Sequence, residues 1–182
     1  MDLLTVPLSP TQLKTLWRLK MPSSAGHIQV LDYDEIIKMN NINQVLKDDD
    51  RVIIYYPNYQ SSQGLYGHYC CLTRKGDTLY FFDSYGGKPD IEQKKYAGDQ
   101  RKELYQEEEN TLIRLFLNSD YKVDYSDYKL QSDKGNISTC GRWCLLRCAM
   151  SHLTNDEFYQ EIKRLCKKNK ISPDLLTVKF FS

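Results

Sequence analysis

Cleavage of an amide by a thiol requires a cysteine, a base that takes its proton and a group that holds the base in one tautomer. Cys140 opens the stretch Thr139-Cys140-Gly141-Arg142-Trp143-Cys144-Leu145-Leu146-Arg147-Cys148-Ala149-Met150, which reads as a nearly all-apolar helix. In an otherwise polar chain such a helix must run through the interior. Ser138 or Thr139 serves as N-cap and leaves Cys140 in the first turn, where unpaired N–H groups and the helix dipole stabilise a negative sulfur. The competing account makes Cys140, Cys144 and Cys148, spaced i, i+4, i+8, small buried residues on one helix face. That account suits Cys144 and Cys148, and Cys140 is singled out only if the chain supplies it with partners.

The chain has three histidines. His27 lies in a loop beside Ile28, and His152 ends the cysteine helix, about 18 Å from Cys140 at 1.5 Å per residue. His68 differs because a hairpin brings it a carboxylate. The runs His68–Thr73 and Thr78–Asp83 have strand composition and flank Arg74-Lys75-Gly76-Asp77, a turn containing Gly-Asp. A four-residue loop sets His68 directly opposite Asp83. A two-residue loop, Gly76-Asp77, sets Asp83 opposite Cys70 and one diagonal from His68. Both registers leave His68 and Asp83 on one face, and only an odd-length loop or a bulge would send them to opposite faces.

The remaining elements must hold this hairpin against the cysteine helix. Ser9-Pro10 starts a helix to about Lys20 with Leu13, Leu16 and Trp17 inward, and Asp32 with Glu35 forms a capping box for a helix over Tyr33–Met39. Val52–Tyr56 is apolar throughout and reads as a central strand covered on both faces. A helix is expected over Gln100–Asn118, built on Leu104, Leu112, Leu115 and Phe116, followed by a half-buried strand alternating at Tyr121, Val123 and Tyr125. Thr154 and Glu157 cap a helix to about Lys168, whose Lys163, Arg164, Lys167 and Lys168, with Lys170 beyond, form the one basic patch; a solubilising surface is set there against a nucleic-acid contact. Ser172-Pro173-Asp174 begins a last short element.

A chain of 182 residues with 41% hydrophobic and 27% charged residues fits one soluble globular domain, 1–182, and excludes a fibrous or disordered chain. The net charge of +1 supplies no general attraction to nucleic acid or anionic membrane. No signal peptide and no membrane span is evident, so a reducing compartment and free thiols are expected of the six cysteines. Cysteines at i, i+4, i+8 without C-x-x-C spacing give no structural zinc site, and no metal is expected.

Gly67-His68-Tyr69, Phe81-Phe82-Asp83-Ser84-Tyr85-Gly86, Gln131 and Thr139-Cys140-Gly141-Arg142-Trp143-Cys144 together resemble the adenovirus-type (adenain-like) cysteine proteases. These are grouped with the SUMO proteases, and the likeness is greatest to the versions carried by virophages, large DNA viruses and self-synthesising transposons. The resemblance implies an α+β, papain-like fold with a mixed sheet packed on the buried cysteine helix. It implies a catalytic triad of Cys140 as nucleophile, His68 as base and acid, and Asp83 as orienting acid. Gln131, with the Cys140 backbone N–H, would line the oxyanion hole, which Gly141 would keep uncrowded. The nine-residue interval from Gln131 to Cys140 is long for the family, so the loop must bulge, and Asn136 is the alternative donor. Asp83 stands where the adenovirus enzyme has Glu, and Tyr69 where many members have Trp.

The resemblance implies a monomeric endopeptidase that cuts capsid and virion precursors at Gly-containing sites, in the host cytoplasm, viral factory or virion rather than outside the cell. No cofactor is expected, although the resemblance admits a peptide or DNA activator. Removal of ubiquitin-like modifiers is the alternative activity, and an inactive binding module on the same fold is the alternative of another class.

Overall fold

The computed structural model describes residues 2–47, 49–57, 67–91 and 110–182. Residues 100–109 of the expected helix over Gln100–Asn118, the loop over Asn58–Gly64 and one residue of the Asp48-Asp49-Asp50 run lie outside these. Among the described residues the helices are α1 (Pro10–Lys20), α2 (Tyr33–Ile36), α3 (Ile42–Leu46), α4 (Thr111–Leu117), α5 (Cys140–Ala149), α6 (Asn155–Asn169) and α7 (Pro173–Phe180). The strands are β1 (Gln29–Asp32), β2 (Arg51–Tyr56), β3 (His68–Lys75), β4 (Thr78–Asp83) and β5 (Lys122–Tyr125). They form one sheet in the order β1-β2-β3-β4-β5. The inner pairs β2/β3 and β3/β4 run antiparallel and the outer pairs β1/β2 and β4/β5 parallel, so the sheet is mixed, as expected of an α+β fold. No described helix is long and apolar enough to cross a membrane.

Strand side chains alternate between faces, and both faces of this sheet are dry. On one, Ile53, Tyr69, Cys71 and Phe82 meet Leu13 and Trp17 of α1, Trp143, Cys144 and Cys148 of α5 and Phe158 and Ile162 of α6. On the other, Val52, Ile54, Cys70, Leu72 and Phe81 meet Tyr33, Ile36, Ile42, Val45, Leu112 and Leu115 of α2, α3 and α4. Double coverage explains why β2, β3 and β4 are continuously apolar rather than alternating.

Several expectations are corrected in detail. The helix after Asp32 keeps its capping box but ends at Ile36, continuing only as turns to Met39. Strand β1 and helix α3 were not expected. Neither has a strong period, and β1 is defined by parallel pairing with β2. The cysteine helix is not all-apolar, because it buries Arg142 and Arg147 fully. Arg147 lies over the rings of Tyr80 and Phe158 and donates to the carbonyls of Met150 and Leu153 and to Asn155. Arg142 donates to the Phe181 and Val6 carbonyls. With every N–H partner a neutral oxygen, these cations act as crosslinks between segments distant in sequence.

Candidate active site

Strand pairing fixes half of the site. The Gly76-Asp77 turn, with Gly76 at φ 61°, gives the two-residue register, so Asp83 stands opposite Cys70. His68 is one diagonal away on the same face, and its Nε2 lies 2.8 Å from Asp83 Oδ1. The carboxylate is itself held by the next turn: Tyr85 N–H donates to Oδ1 at 2.9 Å and Gly87 N–H to Oδ2 at 3.1 Å. Burial alone would raise the Asp83 carboxyl, but the hydrogen bond and charge of His68 and the two backbone donors outweigh it and hold it below the usual carboxylate range. Burial likewise pulls the His68 imidazolium down, yet Cys70 and hydrogen bonds with Asp83, Cys140 and Cys70 carry it well above the ordinary histidine value. Tyr85 stacks on the imidazole with ring centroids 5.4 Å apart.

The other half comes from the helical layer. His68 begins β3 and Asp83 ends β4, so the pair sits at the rim of the sheet, where the start of α5 reaches it. Cys140 is half-buried there and close enough to His68 to help raise its imidazolium. Both open into a cavity of about 480 Å³ that is also lined by Gln131, Tyr55, Tyr69 and Tyr85 and walled by residues 7–10 of the N-terminal segment. That segment is tied down by Ser138 N–H to Leu4 O at 2.7 Å and by Tyr69 Oη–H to Leu8 O at 2.8 Å.

The long Gln131–Cys140 loop is folded by side-chain bonds. Ser84 Oγ donates to Gln131 Oε1 at 2.8 Å, and Ser84 O accepts the Leu130 and Gln131 N–H groups. Gln131 Nε2 donates to Tyr85 Oη at 2.9 Å and to Ile137 O at 3.1 Å. Asn136 is exposed, takes a positive φ of 55° and does not line the cavity. Thr139 occupies the N-cap position of α5 but makes no cap bond with its side chain. Its hydroxyl donates instead to Asp174 Oδ1 at 2.5 Å, the oxygen that also accepts Trp143 Nε1–H at 3.0 Å, while Asp174 Oδ2 takes Ser132 N–H at 3.0 Å. Asp174 thus pins both ends of the loop. The sequence marked it only as the third residue of the Ser172-Pro173-Asp174 helix start.

A Cβ at Gly141 would come within 3.0 Å of Leu13 and 3.3 Å of Tyr69, so this glycine admits the close approach of α1. The other two histidines, His27 and His152, are exposed. The Lys163, Arg164, Lys167 and Lys168 face is exposed as well, with Arg164 held bidentately by Glu161.

No family profile matches the chain. The uncharacterized protein V9 of Sputnik virophage is 33% identical over 149 residues, spanning 81% of this chain and 82% of that protein. Among solved structures, the ASFV pS273R protease aligns with a TM-score of 0.44 at 16% identity, over 85% of this chain and 62% of its own. The C-terminal Ulp1 protease domain, solved in complex with Smt3, the yeast ortholog of SUMO, aligns at 0.40 and 14%, over 80% of this chain and 66% of its own. The chain therefore spans somewhat under two thirds of the length of these solved proteins.

Proposed function

The chain belongs to the family of the Sputnik virophage protein V9, and on that premise and the geometry of the cleft we propose that it is a cysteine endopeptidase acting through Cys140, His68 and Asp83. The observation that carries this reading is convergence. A half-buried thiol at a helix start, the His68 imidazole backed by the buried Asp83, and the held Gln131 amide converge on one cavity.

His68 holds the Cys140 proton as an imidazolium stabilised by Asp83, and the paired Sγ thiolate adds to the scissile carbonyl carbon. Negative charge developing on the carbonyl oxygen is met by hydrogen bonds from the Cys140 N–H and from Gln131 Nε2, one of whose two N–H groups turns to it from Tyr85 Oη or Ile137 O. Collapse expels the amine, to which His68 returns the proton. Water, deprotonated by His68, then hydrolyses the thioester and restores the thiol.

Residue motifs and a virophage relative support a viral role, namely cleavage of capsid and other virion precursors at Gly-containing sites in the viral factory or virion. The test incubates purified protein with the capsid precursor of its own genome and with a Gly-Gly modifier fusion. Cleavage of the first is expected. Cleavage of the modifier fusion alone would replace this substrate assignment with a ubiquitin-like-modifier protease. Absence of cleavage, together with no preferential alkylation of Cys140, would favour a binding module.

A further inference from the structure

Cys70 has no part in the proposed reaction, yet it adjoins it. It is 1% exposed, stands directly across from Asp83 and shares its face of β3 with His68. The ligand atoms of His68, Cys70 and Asp83 all lie within 4.8 Å of one another, and ligand atoms around a tetrahedral zinc lie roughly 3.4–3.7 Å apart, given bonds of about 2.0–2.3 Å. The widest separation would have to close by about 1.1–1.4 Å, and the His68–Asp83 pair, now 2.8 Å apart, would open by somewhat under an ångström.

A second observation points to the same spot. Tyr56, the register partner of His68, is 2% exposed. Its hydroxyl has no hydrogen-bond partner among the described residues, and burial, then Cys70, Asp90, Tyr33 and Asp83, hold it in the neutral form. A buried hydroxyl left without an acceptor is costly, and a Cys70 thiolate or a metal-bound water would supply one.

We infer that His68, Cys70 and Asp83 form a binding site for a single borderline-soft divalent cation, Zn2+ by preference. Zinc replaces the Cys70 thiol proton, which passes to solvent. The thiolate and carboxylate then balance the two charges of the ion, with neutral imidazole as third ligand, so no net charge is left buried. A sulfur and an imidazole nitrogen select against Mg2+ and Ca2+. Occupancy commits the His68 lone pair to the metal and so removes the base. This inhibitory consequence rests on the proposed protease activity, whereas the binding does not.

Binding is therefore read on the Cys140→Ala protein, free of thiol reductants, with Co2+ as probe. One equivalent should bind with a thiolate-to-cobalt charge-transfer band, displaced by Zn2+, and the band should vanish in Cys140→Ala/Cys70→Ala. An unchanged band in the double variant, or no band in either protein, would overturn the site. Zinc-edge X-ray absorption on Cys140→Ala needs no change at Cys70. It should show one sulfur at about 2.3 Å with nitrogen and oxygen at about 2.0–2.2 Å; no sulfur, or several, would count against the site. In activity assays, with each protein referred to its own zinc-free rate at the same pH, Cys70→Ala should need at least tenfold more Zn2+ for half-inhibition. Equal sensitivity would remove the inhibitory role and leave the binding result standing.

Discussion

The two halves of the cleft are held by different means. His68 and Asp83 stand on adjacent antiparallel strands, and the ladder register sets their separation with both strands buried on both faces. Gln131 and Cys140 stand at the ends of a nine-residue loop segment, and their places depend on a few side-chain bonds, chiefly from Ser84 and Asp174. Strand pairing spreads positional control over many backbone bonds, so no single side chain can loosen the hairpin half much. In the loop half one carboxylate pins both ends.

The largest effects separate chemistry from scaffold in both halves. Cys140→Ala and His68→Ala should each lower kcat/KM by about 10⁵–10⁶-fold, as loss of a nucleophile or its base does elsewhere; the melting temperature should stay within a few degrees in Cys140→Ala and fall further in His68→Ala, which leaves Asp83 buried without its partner. Asp83→Asn should cost about 10²–10⁴-fold and also change the pH profile. His68 is raised by its contacts, so the imidazolium persists and the alkaline limb of kcat/KM lies above the ordinary histidine value of about 6.5. Asp83→Asn removes one of those contacts and should move that limb to lower pH.

The same pair affects stability, with signs that follow from the shifts. Asp83 is lowered, so its contribution is present above about pH 3.9 and is lost as pH falls through its folded value. His68 is raised, so its contribution is full below about pH 6.5 and is lost as pH rises through its folded value. Denaturant melts of the unaltered protein against Asp83→Asn should differ most between those limits.

The loop half should respond differently. Gln131→Ala is expected to cost about 10²–10³-fold, mainly in kcat, as loss of one oxyanion donor does, whereas Asn136→Ala should have no effect. Asp174→Asn keeps the shape but turns an acceptor into a donor at one of its three contacts. It should destabilise by about 1–3 kcal/mol, lower kcat by about tenfold, and leave KM and the alkaline limb unmoved. An alkaline limb that moved would place Asp174 with the hairpin half. The smallest effect belongs to Cys144→Ala, deep in the core, which should cost stability alone and change kcat/KM by less than twofold.

This division also explains what the sequence revealed. Hairpin geometry is local, so either even-length loop between residues 68 and 83 places His68 and Asp83 on one face, and the turn has only to choose between those registers and avoid an odd loop or bulge. The helix starting at Cys140, the capping boxes at Asp32 and Thr154 and the apolar run of β2 are legible for the same reason. Asp174 is not, because a carboxylate that serves the start of α5 from the start of α7, 34 positions away, leaves no periodic trace. The role of Gly141 depends on where α1 packs, and the burial of Arg142 and Arg147 on carbonyls of remote segments. Gln131 enters through resemblance, and the Ser84 bond that places its amide has no spacing that marks it.

The central claim is that Cys140 is the nucleophile served by His68. The most direct measurement treats the protein near neutral pH with a short Gly-ended peptide carrying a vinyl methyl ester, which traps an activated thiol, and maps the adduct by mass spectrometry. One adduct, on Cys140, formed far faster than on any other cysteine and lost in His68→Ala, is the predicted result. Labelling spread over several cysteines, or labelling of Cys140 that persists at the same rate in His68→Ala, would contradict it.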